Sequence, residues 1–381
     1  MRRLAGCRLL CVPINNVNMR AINMSEMRAI TMQDGKINLE DRQMPQPGPG
    51  QVLVKSLACG ICGSDLHLTR HTSDVFDVYK KLGLMDASIE GTPGIMLGHE
   101  YAAEVVSYGP ETEGRFKPGT RVTGVPLLMS AGGAGVGVTP GLYGAYSEYF
   151  IADEALLIPI PDHVSSNAAA TSEPLAVGLH AVNRSDIGVN DVALVAGCGA
   201  IGLAVINALK IRGVKHIVAS DPQTGKHEVA KAFGATNLVD PTQQDEVEAA
   251  AELAGENNVV IFECVGVYKL INSFIERAPE KASLIITGVH TTPFEVNFAI
   301  PMVKEMDIRF SYYYTPEEFA ECLQYIADGK VNWEAMCTGK VGIDGVSGAF
   351  DTLLKPNDHI KVIIEPWRNG KLTAFSEEDA S

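Results

Sequence analysis

Two short strings in this sequence carry residue types that do chemistry. Gly197-Cys-Gly199-Ala200-Ile201-Gly202 spaces three glycines as G-x-G-x-x-G, directly after the apolar run Val192-Ala-Leu-Val-Ala196 and at the start of a helix-length stretch. In that context Gly197 permits a tight turn and Gly199 lets the backbone approach a pyrophosphate. Gly202 lets helix and strand pack closely, and the helix N-terminus offers N–H groups to the anion. Asp221 follows Gly202 by 19 residues and closes the next apolar run. A carboxylate there bonds both ribose hydroxyls of NAD and repels the extra phosphate of NADP. Pro222-Gln-Thr after it contains no Arg, while Lys226 is near enough in sequence to favour an adenosine phosphate and keeps dual specificity open. A glycine turn that only packs helix on strand explains the glycines, but not strand, helix and Asp221 together. The second string is Cys59-Gly-Ile-Cys62, with no second C-x-x-C to complete a four-thiolate knuckle. One of its two thiols remains a candidate metal ligand.

The elements that must position these strings change in texture along the chain. From residue 28 to about 155, short β-rich runs such as Gln51-Val-Leu-Val-Lys and Tyr101-Ala-Ala-Glu-Val-Val are punctuated by Pro47-Gly48-Pro49-Gly50 and Lys117-Pro118-Gly119, which predicts an irregular, partly barrelled β domain. From about residue 185, Val192–Ala196, His216–Ser220, Val259–Glu263 and Leu284–Thr287 are almost wholly apolar, as expected of strands covered on both faces. Helix-length stretches lie between them: Ala200 to Arg212, Gly225 to Phe233 and Asp245 to Ala254. The alternation predicts a doubly wound parallel sheet, with Asp307 to Tyr312 as its last strand. A helix follows from Pro316, with Phe319, Leu323, Ile326 and Ala327 on one face and Gly329 as its stop.

At 381 residues the chain is long for one compact domain, and two domains with a cleft between them are expected. Its 46% hydrophobic and 20% charged residues exclude wholesale disorder. The formal net charge of −15 repels phosphate backbones and anionic lipid, which speaks against nucleic-acid and membrane-surface partners. Every apolar stretch is interrupted before the roughly 18 residues of a membrane span. Residues 1–26 read as a leader outside the fold, or as sequence upstream of a true start at Met24 or Met27, because Arg8 breaks the apolar run that a signal peptide needs. Eight cysteines scattered over the chain indicate a reducing, cytoplasmic setting rather than a disulfide framework.

A family resemblance rests on Ala58-Cys-Gly-Ile-Cys62-Gly-Ser64-Asp65-Leu-His67, Gly98-His99-Glu100, the glycine string and Glu173-Pro174-Leu175-Ala176-Val177-Gly178. Together these resemble the zinc-dependent medium-chain alcohol and polyol dehydrogenases, closest to the sorbitol and butanediol dehydrogenase branch, from about Met27 to Pro366. The resemblance implies a Rossmann coenzyme domain (183–316), a β-rich GroES-like catalytic domain (27–182 plus 317–366) and a polar tail (367–381). It implies Cys62 and His99 as ligands of a catalytic zinc, with Cys59 a buried thiol. Glu100 and Glu173 are the candidate carboxylates, one bound directly and the other exchanging with it or touching a zinc-bound water. Thiolate, imidazole and carboxylate with an open fourth position suit zinc. Ser64 is assigned to a proton relay with His67 at its far end, and Asp65 orients His99. Gly197, Gly199, Ala200, Ile201, Gly202, Asp221, Lys226, Val265 and Val289 form the expected coenzyme site. The implied activity is reversible NAD-linked oxidation of a secondary alcohol, diol or polyol to a ketone. The alternatives are a zinc-free NADPH-dependent reductase of the same superfamily, or a non-catalytic dinucleotide-binding protein.

The chain also departs from that pattern. Thr123 to Tyr143, where many relatives carry four cysteines for a structural zinc, holds none and includes the glycine-rich Ala131-Gly-Gly-Ala-Gly-Val-Gly-Val, read as flexible. One zinc per chain is expected. The 37 residues from Cys62 to His99 indicate an insertion over 68–95, either a roof on the substrate pocket or a surface loop or subunit contact. A homodimer or homotetramer is expected, joined through Leu284 to Val289 as an edge strand.

Overall fold

The computed structural model describes residues 26–85, 94–376 and 379, so the leader reading over 1–25 and the part of the insertion at 86–93 lie outside the described residues. The apolar runs become a six-stranded, all-parallel sheet in the order Asn237–Val239, His216–Ser220, Val192–Ala196, Val259–Glu263, Ser283–Ile286, Asp307–Phe310. All five residues of Val192–Ala196 are buried, as are all five of Val259–Glu263. Helices cover both faces, which is why these strands show no polar alternation. The order reverses between the strands that begin at Val192 and Val259. A doubly wound sheet binds its ligand at that switch point.

This order corrects the expected subunit contact. Ser283–Ile286 pairs on one side with Val259–Glu263 and on the other with Asp307–Phe310, so Leu284 to Val289 is not an edge. The open edge is Asp307–Phe310, flanked by exposed Phe310, Met302 and Val303. Asp307-Ile-Arg-Phe is the most polar strand of this sheet, a cue to the edge that the sequence reading passed over in favour of Leu284 to Val289.

The β-rich part forms a mixed sheet centred on Gln51–Gly60, which pairs with Glu100–Tyr108, Tyr149–Asp153 and Lys361–Glu365. The last of these is separated from Gln51 by some three hundred residues of chain, yet its Ile363 sits opposite Gly60. Register shifts at Leu53/Val54 and Ser56/Ala58 bend the central strand so that it serves several partners. Three further features differ from the sequence reading. The glycine-rich stretch is folded: Leu127–Leu128 pairs with Ala134–Gly135, and Val136 is buried. Gly137, with φ 77°, lies so close to the backbone of Gly98 that a Cβ would sit 2.1 Å from its carbonyl oxygen. Gly137 serves close packing beside His99, which composition reads as flexibility. The insertion begins as helices Gly63–Arg70 and Thr72–Lys81, the latter burying Val75 and Phe76. Beyond Pro366 the chain is not a free tail. The Trp367 indole donates to the Ser56 carbonyl, and Thr373–Ala374 adds a strand beside Gly339 and Lys340.

No helix of the described residues is long and apolar enough to cross a membrane. The β-rich part and the Rossmann sheet are joined across Ser172–Asn183 and the glycine-loop helix Ala200–Arg212. Gly178 permits that contact, since a Cβ there would meet the Ala204 carbonyl carbon at 2.5 Å.

Candidate metal centre and coenzyme cleft

Strand register brings the metal-ligand candidates together. Gly60 pairs with Glu100 on one neighbour while Ile363 faces it on the other, so Cys62, Glu100 and Lys361 emerge at one end of the sheet. Cys62 caps the helix Gly63–Arg70 through a reciprocal box: its sulfur accepts the Asp65 N–H, and its own N–H donates to Asp65 Oδ2 at 3.2 Å. Ligand atoms of Cys62, His99 and Glu100 all lie within 4.8 Å of one another. Among the described residues they form the one group of His, Cys, Asp and Glu gathered tightly enough to hold a metal ion.

The surrounding bonds orient this group. Asp65 is fully buried; the Tyr146 hydroxyl donates to its Oδ2 at 2.5 Å, and its Oδ1 faces His99 Nδ1 at 3.7 Å. That Nδ1 and that Oδ1 are both buried without a hydrogen-bond partner. A carboxylate facing Nδ1 leaves Nε2 as the ring nitrogen available to a ligand, the arrangement that orients a metal-bound imidazole. Burial raises the Asp65 carboxyl, with His99 opposing.

Glu100 and Glu173 are held differently. The Lys361 ammonium lies 2.6 Å from both Glu100 oxygens and also donates to the Ile61 carbonyl at 3.0 Å. Burial works against that ammonium, and Glu100, with Cys62 and Glu173, more than offsets it, so Lys361 is held above the usual lysine range. Gly60 is required here, because a Cβ would stand 2.0 Å from Glu100 Oε2. Glu173 lies in the first turn of Ser172–Asn183, where Pro174 needs no N–H partner, and its Oε1 accepts the Tyr314 hydroxyl at 2.9 Å. Burial pushes the Glu173 carboxyl up to about 7, against His99, Tyr314 and Lys361, which favour the ionised form.

Of the relay candidates, Ser64 is exposed on the first turn of its helix. His67 stacks on His71 with centroids 4.6 Å apart, and its Nε2 lies 3.2 Å from Thr291 Oγ1, across the cleft on the loop after Ser283–Ile286. Burial, then His71, lowers its pKa. On the helix Thr72–Lys81, burial and then Tyr312 and Asp65 push the Tyr79 hydroxyl up to about 12.

The residues expected to hold a coenzyme lie around the switch point of the sheet. Gly197 has φ 93°; a Cβ at Gly202 would meet its carbonyl oxygen at 1.8 Å, while a Cβ at Gly199 would meet nothing within 4 Å. The open side of Gly199 and the N-terminus of Ala200–Arg212 therefore face the same space. Asp221 ties the turn down. Its Oδ2 accepts the Cys198 N–H and its Oδ1 the Gln223 N–H, each at 2.8 Å. Ile201 is half-buried on the same turn, and Lys226 is half-buried in the short turn before His227–Phe233. Val265 and Val289 are exposed, at the ends of the strands Val259–Glu263 and Ser283–Ile286.

Residues 48–162 match the alcohol dehydrogenase GroES-like domain, and residues 200–328 match the zinc-binding dehydrogenase family. (R,R)-butanediol dehydrogenase of Bacillus subtilis is 32% identical over 342 residues, covering 87% of this chain and 96% of that protein. The chain belongs to the zinc-type medium-chain dehydrogenase/reductase family. Sorbitol dehydrogenase of Gallus gallus is 26% identical to this dehydrogenase over 355 residues, 89% of this chain and 96% of that one. The crystal structure of 2R,3R-butanediol dehydrogenase from Bacillus subtilis superposes with a TM-score of 0.75 at 30% identity, covering 89% of this chain and 99% of that chain.

Sequence reasoning missed Lys361, Tyr146, Tyr314 and Gly60 in this dehydrogenase. Lys361 opens the apolar strand Lys361-Val-Ile-Ile-Glu365, and a lysine buried in such a run is a signal that it needs an acid. Nothing in the string says which acid.

Proposed function

We propose that this dehydrogenase reversibly oxidises a secondary alcohol, diol or polyol to a ketone with one zinc ion per chain and NAD. What carries the reading is the convergence of Cys62, His99 and Glu100 in a chain whose glycine turn stands at the switch point of a parallel sheet. The soft and hard donors suit zinc, and the inward-facing His99 with Asp65 behind it fits a ligating imidazole. Cys62 and His99 would hold the ion with a carboxylate from Glu100 or Glu173, Lys361 drawing the first away and Tyr314 positioning the second. When bound, zinc supplies the Lewis acidity that lowers the pKa of an alcohol hydroxyl, and NAD supplies the hydride acceptor.

The chain's own residues do the rest. Ser64 Oγ accepts the hydroxyl proton as it gives up its own toward the His67 ring, one helical turn further on, and His67 releases a proton to solvent from its other ring nitrogen. Burial of the carboxylate cluster excludes water from the reacting carbon. Asp221 presents a carboxylate to the ribose hydroxyls, which favours NAD over NADP. A zinc-free reductase would have no use for the gathered donor set, and a non-catalytic binder would have no use for Tyr314 and Lys361 arranged around it.

Zinc analysis with turnover of secondary alcohols, diols and polyols tests this reading. About one zinc per chain and chelator-sensitive NADH formation are expected. Cys62→Ser should lose the metal and reduce kcat/KM by more than the about 10- to 100-fold typical of an outer partner. Turnover that survives both chelation and Cys62→Ser would move the chain to the zinc-free reading.

The open edge Asp307–Phe310, with Phe310, Met302 and Val303 exposed beside it, would pair with a second copy across a two-fold axis. Sedimentation giving a monomer at micromolar concentration would remove that contact.

A further inference from the structure

Tyr312, Tyr313 and Tyr314 follow one another where the chain leaves the coenzyme sheet, and the chemistry above uses only the third. Tyr314 is buried, and its hydroxyl is committed to Glu173. Tyr313 lies flat against it, with ring centroids 4.6 Å apart and planes 9° from parallel. A φ of 66°, in the left-handed region that bulky residues avoid, sets this orientation. The Tyr313 hydroxyl is buried and has no hydrogen-bond partner.

Buried phenol O–H groups normally find an acceptor within the protein. This one has beside it only the Tyr314 hydroxyl, whose own proton is committed to Glu173; burial and then the charge of Glu173 raise its pKa, with Tyr314 opposing. A buried O–H with no acceptor of its own, one stacked ring away from the Tyr314–Glu173 bond, marks a position whose acceptor arrives with the ligand.

We propose that Tyr313 is a substrate-binding residue that selects for a second hydroxyl. The reacting hydroxyl of a diol or polyol sits against Cys62, His99 and the carboxylates, and the Tyr313 O–H donates to the oxygen on the neighbouring carbon. The stacked pair divides the work: Tyr314 holds the carboxylate at the reacting position, and Tyr313, one ring further along, reads the next oxygen. A neutral phenol adds no charge to the pocket, so selection is by the presence of the second oxygen. This inference rests on the alcohol-oxidising reading of the site.

The test compares wild type with Tyr313→Phe, as full-length zinc-loaded protein, on 2,3-butanediol and on 2-butanol, which lacks the second hydroxyl. Phe keeps the ring and its stacking. The diol should lose about 10- to 100-fold in kcat/KM while the mono-alcohol changes by less than about threefold. Calorimetric affinity for the diol, measured without turnover, should fall in the same direction. An equal loss on both substrates would overturn the proposal and reduce Tyr313 to a support for Tyr314 and Glu173. No loss on either would also overturn it, assigning the hydroxyl to a bound water. A wild type that oxidises no alcohol in the panel defeats the alcohol reading itself, and the selection proposal with it.

Discussion

At the coenzyme end of the cleft, the turn, the helix N-terminus and the tethering carboxylate all lie between Gly197 and Asp221, in two successive strand–helix steps. At the metal end, Cys62, His99, Glu100, Glu173, Tyr314 and Lys361 come from separated stretches of chain, brought together by two strand pairings and one helix start. The first region offers backbone: N–H groups and the absence of Cβ atoms shape it, so little beyond glycine spacing is required. The second works through side-chain charge in a dry interior, where each group depends on a partner from elsewhere. A local design tolerates loss of one polar side chain, while a dispersed and charged one does not.

Lys361→Met is expected to show the largest effect on stability. It leaves Glu100 buried without its counter-charge, a loss of about 3–5 kcal/mol for breaking a buried pair from one side. Urea unfolding should show it, and Lys361→Met combined with Glu100→Gln should recover part of the loss. A single variant as stable as wild type would mean that water reaches Glu100, and that the metal end is less dry than described.

A smaller effect is expected at the coenzyme end. Asp221→Asn keeps one carbonyl acceptor for the Cys198 or Gln223 N–H but removes the charge. Relative kcat/KM should shift from NAD toward NADP by about tenfold, or about 1.4 kcal/mol, with a loss of stability of about 1–3 kcal/mol from the one N–H left unpaired, below that at Lys361. A loss as large as that of Lys361→Met would show that Asp221 serves chiefly to tie the turn, and would bring the two regions closer in kind.

The same contrast sets what was legible. The fingerprint, its strand and the helix Ala200–Arg212 could be read from sequence because glycine spacing and apolar periodicity are local properties. Cys62, His99, Glu100 and Glu173 were nameable through family resemblance, but their bonding was not. The glycine-rich stretch after Ala131 misled, because a glycine that allows close approach to Gly98, as Gly137 does, looks in composition like one that allows motion. The edge strand misled as well: its polar residues were a cue, but pairing order is a property of the whole sheet.

By itself the sequence determined the alternation that builds the parallel sheet, the turn that opens toward an anion, and the supply of soft and hard donors. Only the tertiary structure decided that Lys361 neutralises Glu100, that Tyr314 holds Glu173, and that the Tyr313 hydroxyl stands dry and unpaired. The physical reason is range. Periodicity and backbone conformation act between residues a few positions apart, whereas the pairing of a buried charge depends on which distant strand is brought alongside it.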